Sequence, residues 1–172
     1  SSTLPKIENT QDRIFSEETA YQMTTILNGA VKRGTAKKLK SLGVPLAGKT
    51  GTTNNNYDAW FIGFSSNLVI GVYIGFDAPK TLGKYETGSK AALPIFKYFV
   101  ENALFKDDFE EFKIPSNIYL TALNYDTGLK AVSGDKNTII EALKEKDFKN
   151  IDNNNLISIN DRDTLVKFRQ FY

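Results

Sequence analysis

The sequence predicts a mixed α/β chain of the α+β type, in which an antiparallel sheet packs against helices. Two stretches space their apolar residues as helices do, and short apolar runs separated by Gly and Asn lie between them. The connections between these runs are too short for the helical crossover that parallel strands need. With 172 residues, 41% hydrophobic and 24% charged, the chain has the length and composition of one ordinary globular domain.

The first helix is expected to begin near Ser16, because a hydroxyl cap is followed there by Glu17 and Glu18. Apolar residues then recur at helical spacing at Ala20, Met23, Leu27, Ala30 and Val31. Gly34 follows two basic residues, which is the pattern of a helix end. The spacing therefore predicts one amphipathic helix before the sheet.

Three consecutive antiparallel strands are predicted next. Residues 59–64 and 68–76 are apolar runs, and the Ser65, Ser66, Asn67 segment between them suits a hairpin turn. Residues 47–52 precede these runs by one short connection, so we assign them to the neighbouring antiparallel strand. The aromatic residues of the runs are expected in the sheet core rather than at a ligand: Trp60, Phe61, Phe64, Tyr73 and Phe76.

Beyond the sheet, residues 89–105 return to helical spacing, with Pro94 expected in the first turn. One face of this helix is predicted to contain Ile95, Phe96, Phe99, Val100, Ala103 and Leu104. Residues 118–123 and 129–132 then look like a second hairpin, and residues 137–144 look like a short helix. The polar tract at residues 152–155 is a predicted break, and the final residues receive no assignment.

The composition excludes several classes of function. The formal net charge of +2 is spread without long runs, so we expect neither a nucleic-acid partner nor a basic membrane patch. The chain has no Cys and no His, which argues against a thiol nucleophile, a disulfide and an ordinary zinc site, and no metal or cofactor is predicted. No apolar run is long enough to cross a bilayer and no leader is recognisable, so membrane attachment is expected only through the N-terminal anchor of a parent protein.

Residues 47–54 read AGKTGTTN and satisfy two unrelated catalytic motifs. Residues 43–50 match the phosphate-binding pattern G-x-x-x-x-G-K-[ST], whereas Lys-Thr-Gly from Lys49 onward matches a strand motif of penicillin-interacting serine enzymes. A phosphate loop needs a buried strand before it and a helix after it. Residues 37–42 are too polar for that strand, and residues 51–56 are poor helix formers. The strand interpretation is therefore favoured.

The strand interpretation has a chemical logic. On an exposed edge beside a serine nucleophile, Lys49 would place an ammonium near the nucleophile and the substrate carboxylate, which the hydroxyls of Thr50 and Thr52 would also contact. Gly51 lacks a Cβ and would let an extended substrate lie close to the strand, while the N–H of Thr52 would be one oxyanion donor. The candidate catalytic residues are Lys49 and Thr52, and the candidate substrate-binding residues are Lys49, Thr50, Gly51 and Thr52.

Further segments around this strand follow the order and spacing of a known family. They are Arg33-Gly34-Thr35, residues 47–54, Asp58-Ala59-Trp60-Phe61, residues 71–77, Glu86-Thr87-Gly88 with Ala91, and Pro94-Ile95-Phe96. Together they make the chain resemble class A, bifunctional penicillin-binding proteins over most of its length. The resemblance implies the C-terminal part of a transpeptidase domain, with a partial serine β-lactamase/transpeptidase-like fold whose upstream strands and helical layer are missing.

The activity implied by the resemblance is that of a serine-type D-Ala-D-Ala transpeptidase, which cross-links peptidoglycan. In this family a Ser attacks the D-Ala-D-Ala end of a stem peptide, D-Ala leaves, and an amine of a neighbouring stem resolves the acyl-enzyme. β-Lactams resemble that substrate and acylate the same Ser. This chain would supply the substrate-binding and oxyanion half of the site.

In this family the Ser-x-x-Lys motif, which carries the nucleophile, and the Ser-x-Asn motif both precede the Lys-Thr-Gly strand, and neither occurs before Lys49. Residues 133–136 fit the first pattern, and residues 65–67 and 158–160 fit the second, but their positions favour turns and chance matches. The chain alone is therefore predicted to be inactive. The alternative is a non-catalytic peptidoglycan or protein-interaction module without the nucleophile, and nucleotide binding is a distant third.

The predicted organisation is a transpeptidase part at residues 1–112 and a small C-terminal appendage with a flexible tail at residues 113–172. The resemblance implies peptidoglycan stem peptides and β-lactams as binding partners. It also implies a structural partner, which is either the upstream part of the same domain or a second copy engaged by strand exchange. The implied location is the extracytoplasmic face of the bacterial cell membrane, which is the periplasm in a Gram-negative organism, within a membrane-anchored parent.

Overall fold

The computed structural model describes residues 12–153, which form a three-stranded sheet flanked by helices and a separate two-stranded sheet. In chain order the main elements are α1 (Glu17–Lys32), β1 (Ala47–Thr52), β2 (Ala59–Phe64), β3 (Val69–Ile74), α2 (Leu93–Ala103), β4 (Ile118–Asn124), β5 (Thr138–Lys144) and α3 (Glu145–Asn153). Short 3₁₀ helices occupy Lys37–Leu42, Asn54–Asn56 and Lys106–Asp108, and a π-helical turn at Gly88–Ala92 leads into α2. The predicted mixed α and β class is confirmed.

Helix α1 begins and ends where the sequence predicts. The Ser16 hydroxyl accepts the N–H of Thr19 at 3.3 Å, which satisfies one of the unpaired donors in the first turn. At the other end the Arg33 and Gly34 amides donate to the last turn of the helix at 2.9 and 3.1 Å. The chain then turns away at Gly34, where a Cβ would come within 2.9 Å of Ala30 Cα, so glycine fits this close turn.

The main sheet has the predicted order β1-β2-β3, with both pairs antiparallel. The register places Gly51 opposite Trp60 and Trp60 opposite Tyr73. Ser65 holds the turn between β2 and β3, since its hydroxyl donates to Asn67 Oδ1 at 2.7 Å and accepts the backbone N–H of Leu68 at 3.2 Å. The turn role predicted for the Ser65-Ser66-Asn67 segment is therefore confirmed.

The core lies between one face of this sheet, α1 and α2. The rings of Phe61 on β2 and Phe96 on α2 meet edge to face with centroids 4.8 Å apart, and both side chains are completely buried. Each such ring contributes roughly 1.5–3 kcal/mol through burial alone. The other buried members of the cluster are Val31, Ala36, Leu39, Leu46, Ala92, Leu93 and Val100.

The prediction that the sheet aromatics form the core is right for Phe61 and wrong for three others. Trp60, Tyr73 and Phe76 keep 41%, 49% and 48% of their surface exposed. Trp60 and Tyr73 oppose each other in register, and successive side chains of a strand point to opposite faces. Trp60 and Tyr73 therefore lie on the face of the sheet that is not covered by α2.

The buried face of α2 also differs from the prediction. Pro94 is in the first turn as expected, but the buried side chains are Leu93, Phe96 and Val100, whereas Ile95, Phe99 and Ala103 are exposed. The predicted face was chosen from helical spacing alone, and it includes residues that lie beside the surface in contact with the sheet. The contact itself is narrower, because a single helix meets the sheet along one row of positions three to four residues apart.

The second hairpin is the main correction to the predicted elements. β4 is confirmed, but its partner is β5, formed from the residues predicted as a helix at 137–144. Residues 129–132 do turn back beside β4 as predicted, through an isolated antiparallel bridge between Leu123 and Lys130 and a hydrogen bond from the Ala131 N–H to the Ala122 carbonyl at 2.9 Å, but they do not form a strand. Thr138, Ile139 and Ile140 are β-branched, and pairing with β4 decides their conformation.

The predicted break at residues 152–155 overlaps the end of α3, which runs from Glu145 to Asn153. Residues 154 and 155, the final residues and the Ser-x-Asn match at 158–160 lie outside the described residues.

Candidate functional site

The four predicted site residues, Lys49, Thr50, Gly51 and Thr52, lie consecutively on β1. β1 pairs with β2 on one side, and no described strand lies on its other side. An edge strand of this kind presents unpaired backbone groups to a partner in extended conformation. The structure thus brings the four residues together at one open edge.

The hydrogen-bond pattern decides which amides point to that edge. The N–H of Thr53 donates to the carbonyl of Asp58 at 3.1 Å, and bonded and non-bonded pairs alternate along an antiparallel ladder. Positions 49 and 51 therefore bond to β2, and the amides of Thr50 and Thr52 point outward. The Thr52 N–H has the orientation that an oxyanion donor needs.

The side chain of Lys49 reaches the same edge although it starts from the exposed face of the sheet. Its Nζ donates to the carbonyl oxygen of Thr50 at 3.0 Å. That carbonyl also points outward, because it belongs to a position that does not bond to β2. The ammonium is therefore at the open edge, where it can meet an anionic group of a ligand.

The hydroxyls of Thr50 and Thr52 share the opposite face of the strand, and each already has one partner. Thr50 Oγ1 lies 3.1 Å from Thr35 Oγ1, and Thr52 Oγ1 accepts the backbone N–H of Gly88 at 3.0 Å. Because Thr52 acts as an acceptor toward Gly88, its hydroxyl hydrogen is left for a ligand. The Thr35 and Thr50 pair uses one of its two hydrogens internally and can donate the other.

Gly88 and Thr35 are site residues that sequence reasoning did not assign. Gly88 is buried, and a Cβ on it would lie 2.5 Å from the carbonyl oxygen of Gly51 and would also meet that of Trp60. Only glycine allows the start of the π-helical turn to approach β1 this closely. The signals were present as Glu86-Thr87-Gly88 and Arg33-Gly34-Thr35, but spacing along the chain does not show that these segments meet β1.

An aromatic and carboxylate cluster supports β1 from the exposed face. The rings of Trp60 and Tyr73 have centroids 4.5 Å apart. The Tyr73 hydroxyl donates to Asp58 Oδ1 at 3.0 Å, and the Thr53 hydroxyl lies 3.2 Å from Asp58 Oδ2. The hydrogen bond to Asp58 is the main reason why the pKa of Tyr73 is raised. Asp58 thus ties the end of β1 to β3, which fits a strand-end role.

The phosphate-loop interpretation of residues 43–50 is excluded by their conformation. A 3₁₀ helix at Lys37–Leu42 precedes them instead of a strand, and Gly43 ends it in a left-handed conformation with φ of 67°. Lys49 and Thr50 then lie in β1 instead of at a helix N-terminus. The backbone amides of this strand alternate in direction, whereas those of a phosphate loop converge on one anion.

Two of the serines that fit the family's Ser-x-x-Lys and Ser-x-Asn motifs lie in turns of the structure. Ser133 is exposed in a turn next to Gly134, whose φ is 99°, and it does not open a helix. Ser65 is buried, with its hydroxyl engaged in the turn between β2 and β3. Neither serine belongs to the β1 edge.

Comparison with known proteins gives one consistent result. Residues 5–101 match the family described as penicillin binding protein transpeptidase domain. The chain is 40% identical over 156 residues to penicillin-binding protein 1A of Rickettsia felis, covering 91% of the chain and 19% of that protein. It is 39% identical over 137 residues to penicillin-binding protein 1A of Pseudomonas aeruginosa, covering 79% of the chain and 17% of that protein.

A solved structure agrees with these relatives. The crystal structure of penicillin-binding protein 1A from Haemophilus influenzae superposes with a TM-score of 0.65 at 30% sequence identity, covering 75% of this chain and 21% of that one. The chain therefore spans about a fifth of the length of the proteins it is similar to.

Proposed function

This chain belongs to the penicillin-binding protein transpeptidase family, and on that basis we propose that it is the substrate-binding and oxyanion half of a peptidoglycan D,D-transpeptidase. The observation that carries the proposal is the open edge of β1, where the Lys49 ammonium and the outward Thr52 amide occur together. An extended stem peptide can lie against this edge, and a β-lactam can occupy the same place.

In the proposed reaction, a serine from elsewhere in the domain attacks the carbonyl carbon of the penultimate D-Ala and loses its proton to a base. The carbonyl oxygen becomes an oxyanion, which the Thr52 N–H stabilises; loss of one such donor typically costs roughly 3–4 kcal/mol of transition-state stabilisation. The C–N bond then breaks, and D-Ala leaves with a proton. The amine of a second stem peptide attacks the acyl-serine, so a new amide bond forms, the ester C–O bond breaks, and the serine oxygen regains a proton that the amine loses. Lys49 and the hydroxyls of Thr50 and Thr52 hold the terminal carboxylate in place.

With a β-lactam the same attack opens the ring amide. Both halves of the broken bond remain attached to the acyl group, so no leaving group departs. The carboxylate of the drug would bind the same Lys49, Thr50 and Thr52 groups. This shared carboxylate explains why one strand would serve both substrate and inhibitor.

The proposal includes an incomplete domain. We propose residues 1–112 as the C-terminal part of a transpeptidase domain and residues 113–172 as an appendage, supported by the family match at residues 5–101 and by the separate β4-β5 sheet. The nucleophile would come from upstream in a parent protein, so the chain alone would not turn over substrate. The upstream part, or a second copy through strand exchange, would complete the sheet.

The proposed location follows from the family. A parent anchored in the membrane would hold this domain on the extracytoplasmic face of the bacterial membrane, which is the periplasm in a Gram-negative cell. Within residues 12–153, none of the helices combines the length and hydropathy of a transmembrane segment.

Labelling with a fluorescent penicillin tests the function. Membranes are labelled with and without excess unlabelled penicillin, and labelled bands are searched for the tryptic peptide that begins at Thr50. We expect the peptide in a band much larger than 19.2 kDa whose label is lost when excess unlabelled penicillin is present. If the peptide occurs only in unlabelled protein, the catalytic proposal fails and a non-catalytic binding module replaces it.

A further inference from the structure

The two-stranded sheet of β4 and β5 is packed against α1 through β5. Their polar contacts run along the helix: Lys144 Nζ donates to Thr19 Oγ1 at 2.7 Å, Gln22 Nε2 donates to the Ala142 carbonyl at 3.0 Å, and Arg33 Nη2 donates to Glu141 Oε1 at 2.9 Å. α1 therefore lies between this sheet and the main sheet.

The contact closest to the site is the ion pair of Arg33 and Glu141. Their side chains are 40% and 21% exposed, so the pair is partly shielded from solvent. The guanidinium lies over Gly29, where a Cβ would come within 2.9 Å of Nη2. Gly29 thus makes room for the Arg33 side chain to lie along the helix and reach β5.

The turn after Arg33 contacts the substrate-binding strand. Thr35, two residues on, places its hydroxyl 3.1 Å from that of Thr50. Ala36 is completely buried, and its amide donates back to Ala30 at 3.0 Å. Asn28 on α1 donates to the carbonyl of Leu46 at 2.7 Å, immediately before β1 begins. α1 and the turn after it therefore contact β1 at its start and at Thr50.

We propose that Glu141 is a positioning residue for the substrate-binding strand. It holds Arg33 at the end of α1, which fixes the turn that carries Thr35, and Thr35 orients the hydroxyl of Thr50. The β4-β5 sheet then has a role in the chemistry although none of its residues touches substrate. This inference rests on the proposed function, because it needs Thr50 to bind the substrate carboxylate.

The size of the effect follows from the exposure of the ion pair. Partly exposed pairs are weak, so loss of this one should slow acylation by penicillin about two- to fivefold. We expect the acylation rate to fall because the Thr50 hydroxyl is displaced. A small displacement of a positioning residue acts through the group that it orients.

A double-mutant cycle in the full-length natural protein tests whether Glu141 acts through Thr50. Glu141→Gln should slow the second-order rate of penicillin acylation in the Thr50 protein and have no further effect in a Thr50→Val background. Equal factors in both backgrounds would mean general destabilisation and would overturn the proposal. Glu101→Gln, which breaks the Lys97–Glu101 pair on α2, is the matched control and should leave the rate unchanged.

A second measurement keeps this inference separate from the proposed function. Amide hydrogen exchange at Lys49 and Gly51, whose amides bond to β2, should become about two- to fivefold faster in Glu141→Gln, while exchange in β3 stays the same. The charge-swapped pair Arg33→Glu with Glu141→Arg should restore slow exchange. If wild-type protein does not react with penicillin, the proposed function fails. Unchanged exchange in Glu141→Gln overturns the positioning role whether or not penicillin reacts.

Discussion

Neighbouring side chains of β1 point to opposite faces of the strand, yet their polar groups lie near the same open edge. Lys49 starts from the exposed face, and its ammonium folds over to the outward carbonyl of Thr50. Thr50 and Thr52 start from the other face, where Thr35 and Gly88 bind their hydroxyls. Donors from both faces can therefore surround a carboxylate that lies along the edge.

Replacing Lys49 tests its assigned role directly. Lys49→Ala removes the ammonium that donates to the Thr50 carbonyl at the edge, and one charge-assisted hydrogen bond contributes roughly 1.5–3 kcal/mol. Acylation of the parent protein by penicillin should therefore slow about 10- to 100-fold. Lys113→Ala, an exposed lysine before β4, is the control. An unchanged acylation rate for Lys49→Ala would remove this side chain from the mechanism.

Gly88→Ala tests the close approach behind the strand. The added Cβ would meet the backbone at Gly51 and Trp60, which cannot rotate away, so we expect a loss of about 1–3 kcal/mol in stability. β1 should shift as well, and acylation of the parent protein by penicillin should slow. Gly71→Ala on β3 is the control with the same substitution, since nothing lies within 4 Å of its Cβ position. Equal melting temperatures for the two variants would contradict the packing described here.

At the scale of elements, α2 shows how a narrow contact stabilises the sheet. Phe96→Ala removes a buried ring that contacts Phe61, and it should cost about 3–5 kcal/mol. Phe99→Ala removes the same ring one turn away, where 44% of it is exposed, and should cost less than about 1 kcal/mol. The urea midpoints of the two variants are compared, with protease cleavage within α2 as the measure of unfolding. Similar midpoints would mean that α2 packs on a different face.

The pairing of β4 with β5 shows why the type of an element can be mispredicted even when its boundaries are nearly right. Residues 137–144 contain Ile139, Ile140 and Ala142, which fit a helix as well as a strand on composition alone. β4 offers a full-length partner, and the seven residues of β5 pair with it from Thr138 to Lys144. Pairing with a strand distant in sequence outweighed the local preference.

At the scale of the whole molecule, one face of the main sheet is apolar and uncovered in the described structure. Ile62 and Val69 are 50% and 69% exposed, and Trp60 and Tyr73 lie beside them. β3 also has no described strand on its outer side. A contiguous apolar patch with an open edge is characteristic of a surface that another segment covers.

This face predicts the behaviour of the isolated chain. The 172-residue polypeptide should self-associate at micromolar concentration, and Ile62→Lys with Val69→Lys should reduce the association, because charges on an exposed sheet face oppose it. Sedimentation velocity measures both, with the exposed Tyr98→Lys on α2 as the control. A stable, monodisperse monomer of the unmodified chain would contradict the incomplete-domain proposal.

Elements that depend on neighbouring residues could be predicted from the sequence. The cap at Ser16, the hairpin turn at Ser65 and the strand at residues 47–52 all follow from local signals, and the structure contains each of them. The absence of a phosphate loop at residues 43–50 was also predictable, because the flanking strand and helix that it requires are local properties. The resemblance to the transpeptidase family likewise depended on ordered motifs in the sequence, and the family match confirms it.

The sequence by itself thus determined the strand that carries Lys49 to Thr52, the antiparallel order of the main sheet and the family. The tertiary structure decided which faces are buried and which distant segments reach the strand: Thr35 on Thr50, Gly88 behind Gly51, and Glu141 on Arg33. The physical reason is range. Caps, turns and periodicity act over a few residues, whereas these contacts join positions from 15 to 108 residues apart, and the packing of the complete chain selects them.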